Sequence, residues 1–432
     1  MSLLGSMLAS ASGLDANSEA IQIVSNNIAN VNTVGYKALR GHFENLLGGG
    51  GGTAGGKLGG IGARLARIEQ MFSQGALLGT GVTTDLAIDG AGFFIVRGNY
   101  SRGAGTYYSR AGQFQLDADG RLVNNQSMAL QGYSVDSDGT LSRSLGDLVV
   151  PVDVAAPPKA TSKISIVANL DASSTAPSAP FDPQNPSETS NFSTAIQAYD
   201  SRGRLHVLNI FFRANGNGGW EWHVLSKGDE VTGGTPGQWI EAASGTLNFT
   251  SQGTLDVETA GVQNFNFKDA QQNQQIEFEF GDAITTDDGV GRAGVTSYAA
   301  PSALVSFTQD GMQSGLLTSI AISSDGRLTG SFTNGEQRLL GQVALAKFAN
   351  PAGLSNVGGA LYQLTEVSGQ AVIGAAGEAS RGQVLSGTLE QSNVNLGDEF
   401  INLIAYQRGF QAGTRTVKIA DEMLSELVNL IR

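Results

Sequence analysis

Apolar residues recur at every seventh position at both ends of the 432-residue chain, and a repeat of that length dictates what those ends become. Leu396, Leu403, Phe410, Val417, Leu424 and Ile431 form one register. Met7, Leu14, Ile21 and Ile28 form the other, with Leu4, Ala11, Val24 and Val31 close to the same stripe. Seven residues span nearly two helical turns, so each series lines one seam and calls for a partner helix. Arg408, Arg415 and Glu422 also repeat at seven, on the face away from the C-terminal seam, as a solvated exterior would. Asn395 is placed to cap that helix, and Asp398 and Glu399 put negative charge in its first turn. Running from Leu396 to Ile431, it would be ~54 Å long. Gly409 and Gly413 weaken it locally. The N-terminal helix ends in the run Asn26, Asn27, Asn30 and Asn32 with Gly35. Two amphipathic helices cannot cover both stripes by themselves, so they dock on a β-domain or pack against copies of the chain. Pairing the two ends across the intervening residues costs an entropy that grows only slowly with length.

Between the ends the pattern is that of strands and turns. Asp85 to Val96, Tyr107 to Leu116 and Arg121 to Tyr133 read as strands, as do Ser193 to Tyr199, Leu205 to Arg213 and Trp220 to Ser226. Four short segments, beginning at Asp117, Asp136, Asp200 and Ser324, set an acidic or polar residue ahead of Gly and a strand start, which is hairpin chemistry. They resemble calcium loops but lack the third acidic ligand, the required glycine position and the distal Glu. Pro157, Pro158, Pro177, Pro180, Pro183 and Pro186 mark a composition shift near Pro151, and Ala300-Pro301 marks another. Residues 46 to 62 form a glycine-dominated linker. Gly51, Gly56 and Lys57 have phosphate-loop spacing there, but Leu58 stands where Ser or Thr would ligate magnesium.

Net charge of −13 and a pI near 4.7 argue against nucleic acid as partner, since phosphate binding needs clustered Lys and Arg. The chain has no cysteine, which removes disulfides, zinc–thiolate sites and cysteine nucleophiles. No apolar run reaches the ~20 residues of a spanning helix, so no membrane insertion is expected. The first cationic residue is Lys37, so a general secretory signal is not expected and export would need another route. His42, His206 and His223 have no metal-ligand spacing, and no Gly-x-Ser-x-Gly elbow occurs. Asp287-Asp288 reads as a solvated turn. Trp220 and Trp222 share one strand face, which suits a core or a subunit contact before a sugar platform. No enzyme, cofactor or metal is expected.

Four ordered blocks of the chain then resemble one family. Ser25 to Lys37 (SNNIANVNTVGYK) looks like the signature of the bacterial flagellar rod and hook axial proteins, with Asn26, Asn27, Asn30, Thr33, Gly35, Tyr36 and Lys37 carrying it. Gln74 to Gly81 with Asp85 to Phe94 resembles the next shared block, and Arg110 to Phe114 through Leu130 to Tyr133 the third. Glu390 to Leu396 and Tyr406 to Phe410, including Gln407 and Arg408, resemble the C-terminal block. Phe181 to Pro186, Ala198 to Gly203 and the Trp220 strand resemble the outer β-domain of the hook branch, which rod members lack.

The resemblance implies a mainly β fold with terminal α-helices: a coiled-coil-like helical domain plus two β-rich domains, the outer inserted in the inner. Domains are expected at 1–30 and 389–432 (helical core), 31–70 (connecting segment), 71–150 with 301–388 (middle β) and 151–300 (outer β). It also implies a structural subunit of the flagellar hook, outside the cell, polymerised into a curved tube that transmits motor torque as a universal joint. The implied partners are further copies of itself, distal rod, hook cap and hook–filament junction proteins, and the type III export apparatus. A distal-rod protein and an extracellular β-rich glycan-binding protein stand as alternatives.

Overall fold

The computed structural model describes residues 3–47, 60–100, 103–136, 139–151 and 155–430. The chain is mainly β with a long helix at each end. Helix α1 spans Leu3–Ala29 and helix α2 spans Leu396–Leu430. The linker at 48–59, its phosphate-loop near-miss (Gly51, Gly56, Lys57, Leu58) and Ile431 lie outside the described residues.

Two compact units divide the chain. One comprises Met1–Val152, Ser319–Ser331 and Gln337–Arg432; the other comprises Asp153–Thr318 and Phe332–Glu336. In the first, α1 packs against α2 and against a two-stranded antiparallel hairpin, β1 (Leu39–Leu47) and β2 (Gly60–Gln70). Leu39 lies opposite Gln70 and Phe43 opposite Leu65, with a bulge between His42 and Phe43. The segment expected as a connector therefore contains regular structure on both sides of the glycine run. The buried stripe of α1 is Ala16, Ala20, Ile23, Val24 and Asn27, a spacing of three and four that puts one narrow face against its neighbours.

The body of this unit is an antiparallel sheet in which strands Gln337–Lys347, Ala129–Val135, Phe93–Tyr100, Gly103–Ser109, Leu361–Gln363 and Ser355–Gly358 lie side by side. Its core includes Phe93, Ile95, Tyr108, Phe348 and Tyr362, with edge-on aromatic contacts such as Tyr108 to Phe348 at 4.8 Å. The stretch Asp85 to Val96, expected as one strand, is two. Gly90 (φ +106°) and Gly92 (φ +142°) turn the chain, so Leu86–Asp89 pairs with Gln383–Ser386 while Phe93–Tyr100 enters the large sheet.

The second unit is a five-stranded antiparallel meander, Phe192–Tyr199, Leu205–Ala214, Gly219–Lys227, Trp239–Phe249 and Leu255–Gln263. A three-stranded sheet accompanies it, with Lys163–Asn169 parallel to Glu277–Glu279 and antiparallel to Ala303–Gln309. Inward-facing residues of both sheets form one core, and Trp220 and Trp222 belong to it. Trp222 is 1% exposed and packs on Phe280 at 5.0 Å, so this pair offers no sugar platform. The four polar-Gly segments turn as hairpins require: Gly120 donates to Asp117 O, Gly139 to Asp136 O, Gly203 to Asp200 O and Gly326 to Ser323 O.

Candidate assembly site and its buried junction

Asn395 caps α2 as its sequence position suggests. Its Oδ1 accepts from Gly397 N at 3.0 Å, and its Nδ2 donates to Asp398 Oδ2 at 2.9 Å. The half-buried stripe of α2 runs through Glu399, Leu403, Tyr406, Gly409, Gly413 and Val417 to buried Ala420. A Cβ on Gly409 would lie 2.8 Å from Asn17 Oδ1, and one on Gly413 would lie 3.0 Å from Leu14 Cδ2. These glycines lower helix propensity, yet they are what lets the two helices approach. Of the heptad residues, Leu403 and Val417 sit on this stripe while Leu396, Phe410 and Leu424 are exposed. Met7, Leu14, Ile21 and Ile28 are half-buried on α1, beside its fully buried face.

The asparagine signature at the end of α1 works through side-chain hydrogen bonds. Asn27 is buried and fully engaged: its Nδ2 donates to Leu39 O (2.8 Å) and Glu399 Oε1 (2.9 Å), and its Oδ1 accepts from Leu39 N (2.8 Å) and Tyr36 Oη (3.2 Å). One amide thus ties α1 to β1 and to α2. Asn30 Nδ2 donates to Asn26 O and Asn26 Oδ1, and Thr33 Oγ1 donates to Asn30 Oδ1, closing the helix end. Glu399 is held above the usual carboxylate range by burial and by Asp398 beside it, and Tyr36 is raised by burial and by Glu399.

Just beyond, Lys37, Arg110 and Glu390 form a buried charge cluster. Lys37 Nζ donates to Glu390 Oε1 at 2.6 Å and to Ser73 O at 2.7 Å, and Gly75 N donates to the same Glu390 oxygen at 2.8 Å. Arg110 Nη1 donates to Glu390 Oε2 at 3.3 Å and its Nη2 to Gly90 O at 2.8 Å, with the guanidinium 5.3 Å from the Phe93 ring centroid. Two cations face one carboxylate, so backbone carbonyls and an aromatic face take up the excess positive charge. Burial pushes the Lys37 ammonium and the Arg110 guanidinium below their ordinary values, and Glu390 opposes that shift in both. Gly35 passes beside this cluster at φ +69° and donates to Glu390 O at 2.8 Å; a Cβ there would sit 2.5 Å from Ala111 N. Asn393 adds a further tie, accepting from Ala38 N and donating to Met71 O.

The structure therefore brings together Asn27, Gly35, Tyr36 and Lys37 of the expected signature, while Asn26, Asn30 and Thr33 close the helix and Gln407 and Arg408 stand exposed on α2. Glu390, Arg110 and Asn393 were not assigned roles from sequence. Their signal was faint: charged or amide residues within blocks of a chain only 15% charged.

The histidines meet carboxylates that folding brings to them, which sequence spacing does not reveal: His42 with Glu69 at 2.6 Å, His206 with Glu230 at 3.1 Å and His223 with Glu241 at 2.7 Å. Among the described residues no group of His, Cys, Asp and Glu is arranged to hold a metal ion, and no helix is long and apolar enough to cross a membrane.

Comparison with known proteins follows the same segments. Residues 7–37 match the flagella basal body rod protein family, 87–170 the flagellar hook protein FlgE/F/G D1 domain, 169–312 the flagellar basal body protein FlaE D2 domain, and 385–430 the flagellar basal body rod FlgEFG protein C-terminal family. The chain is 32% identical to the flagellar hook protein FlgE of Escherichia coli strain K12 over 424 residues, covering 97% of this chain and 98% of that one. It is 33% identical to the FlgE of Treponema pallidum strain Nichols over 469 residues, covering all of both. A crystal structure of Helicobacter pylori flagellar hook protein FlgE2 aligns with 71% of this chain and 98% of that one at 15% identity and a TM-score of 0.47, and adds no weight to the sequence matches. The chain belongs to the flagellar hook protein FlgE family, the extracellular, structural and non-enzymatic subunits of the bacterial flagellar hook.

Proposed function

We propose that this hook subunit works only as a polymer, and that its two terminal helices supply the joints. Membership of the hook family implies self-polymerisation. The observation that carries the finer reading is the surface of α2: from Leu396 to Glu426 the single buried residue is Ala420. Phe400, Ile401, Ile404, Phe410, Ile419 and Met423 are all exposed. An apolar helix left so open gains its stability from neighbours, here further copies of the chain. The heptad residues Met7, Leu14, Ile21, Ile28, Leu396, Leu403, Phe410, Val417 and Leu424 line or border the faces such contacts would use, and Ile431 continues the register. Head-to-tail contacts between unlike faces build an open helical tube where their rotation does not close a ring.

In this reading the helical ends form the inner wall, residues 71–150 with 301–388 a middle layer and 151–300 an outer layer. Stiff paired helices resist twist while the β-layers slide as the curved tube turns as a universal joint. The segment matching the D2 domain at 169–312 favours a hook subunit over a distal-rod one. Distal rod, hook cap, hook–filament junction proteins and the type III export apparatus are the expected partners at the two ends of the tube and on the way out of the cell. Amide exchange tests the central step: α2 should exchange rapidly in soluble monomer and become protected in the polymer. Strong protection throughout 396–426 in the monomer would contradict it.

A further inference from the structure

On α2, Ile401, Ile404 and Arg408 stand at i, i+3 and i+7, which is one helical face. That face points away from the stripe through Leu403 and Tyr406 that meets α1. Ile401 is 66% exposed and Ile404 51%. Arg408 is exposed and makes no ion pair among the described residues.

The same unit contains a cleft of about 520 Å³ between α1, β1 and the first turns of α2. Ile23 and Val24 line it from α1, and Phe43 and Met71 offer exposed apolar surface at its side. Asp398 and Glu399 stand at its mouth, and neither meets a cation among the described residues. Asp398 accepts only from Asn395 and Glu399 only from Asn27, both neutral amides. Arg40 also lines the cleft, but it forms no ion pair with either carboxylate among the described residues. The lining mixes apolar side chains with amides, and the carboxylates at its mouth have no cation within ion-pair distance, so a segment bearing both apolar side chains and a cation would complement it. The outer face of α2 has that composition.

A chain cannot satisfy its own cleft in this way. Asp398 and Arg408 are fixed on one rigid helix, ~15 Å apart along its axis. The occupant is therefore a second copy, and because cleft and face are different surfaces the contact is heterologous and can repeat from copy to copy. We propose that Ile401, Ile404 and Arg408 of one subunit dock into the cleft between α1, β1 and the start of α2 of the next, setting Arg408 against Asp398 and Glu399. This rests on the polymer reading above and names the surfaces that would make one of its contacts.

Full-length protein carrying Arg408→Glu, Asp398→Lys, or both, tests the pairing, with seeded polymerisation followed by light scattering and sedimentation. Each single change should raise the critical concentration about ten-fold or more by placing like charges together. The double change restores opposite charges and should return it to within about three-fold of the parent. Arg415→Glu, the same charge change farther along α2, should act less than about three-fold. Circular dichroism and denaturant melting of each soluble monomer verify folding. Single variants that assemble like the parent, or a double variant no better than the worse single, would overturn the pairing. If the parent itself formed no polymer from seeds, the broader reading would fail instead, so the two failures are distinguishable.

Discussion

Lys37 Nζ lies 2.6 Å from Glu390 Oε1 with both side chains fully buried, joining residues 353 positions apart in the chain. The pair locks the segment leaving α1 to the segment entering α2, where both meet the β-body. Removing the carboxylate strands two buried cations, Lys37 and Arg110. Glu390→Gln should therefore lower monomer stability by about 3–5 kcal/mol, read from urea unfolding, since that is the usual penalty for breaking a buried pair. A loss below about 1 kcal/mol would mean that the ion pair does not hold the junction.

Asn27→Asp tests the amide that bridges α1, β1 and Glu399. An aspartate cannot donate to Leu39 O or Glu399 Oε1, and it sets a second carboxylate beside one already raised by burial. The variant should lose at least about 2 kcal/mol at pH 8 and recover part of that at pH 5, as the paired acids take up a proton. Equal loss at both pH values would contradict the like-charge account.

Gly413 and Gly13 should respond in opposite directions. A Cβ at Gly13 meets nothing within 4 Å, whereas one at Gly413 meets Leu14 Cδ2 at 3.0 Å. Gly13→Ala should gain up to about 1 kcal/mol from helix propensity, and Gly413→Leu should cost about 1–3 kcal/mol by wedging the helices apart. Polymer melting temperatures measure both.

The second unit should weaken as pH rises. Glu258 is pushed up to about 7 from 4.5 by burial, with Asp287, Glu279 and Glu277 adding to the shift. The folded state thus holds this proton more tightly than the unfolded chain. Its contribution is full below pH 4.5 and is lost as pH rises to about 7. Glu258→Gln should remove that loss and make the protein more stable at pH 8, on the order of 1 kcal/mol after solvent screening. Identical pH–stability profiles for the two proteins would contradict the assignment.

What could be read before folding was local. The helices at the two ends showed in their seven-residue period, Asn395 in its position before the apolar run, and the hairpins at Asp117, Asp136, Asp200 and Ser324 in their turn residues. The pairing of Leu39–Leu47 with Gly60–Gln70 was hidden because the bulge at His42/Phe43 breaks strand alternation. Gly90 and Gly92 divide a run that looks continuous, since a positive φ leaves no mark but the glycine itself. The buried role of Lys37, Arg110 and Glu390 was illegible for a different reason. A charged side chain ordinarily belongs at the surface, and only tertiary contact brings these three together.

Seeded assembly of protein lacking residues 396–432 measures the central claim most directly. The trimmed chain should stay soluble with its β-units folded, yet add no length to seeds at concentrations where the full chain builds curved tubes visible by electron microscopy. Tubes of normal curvature grown from the trimmed chain would contradict the account.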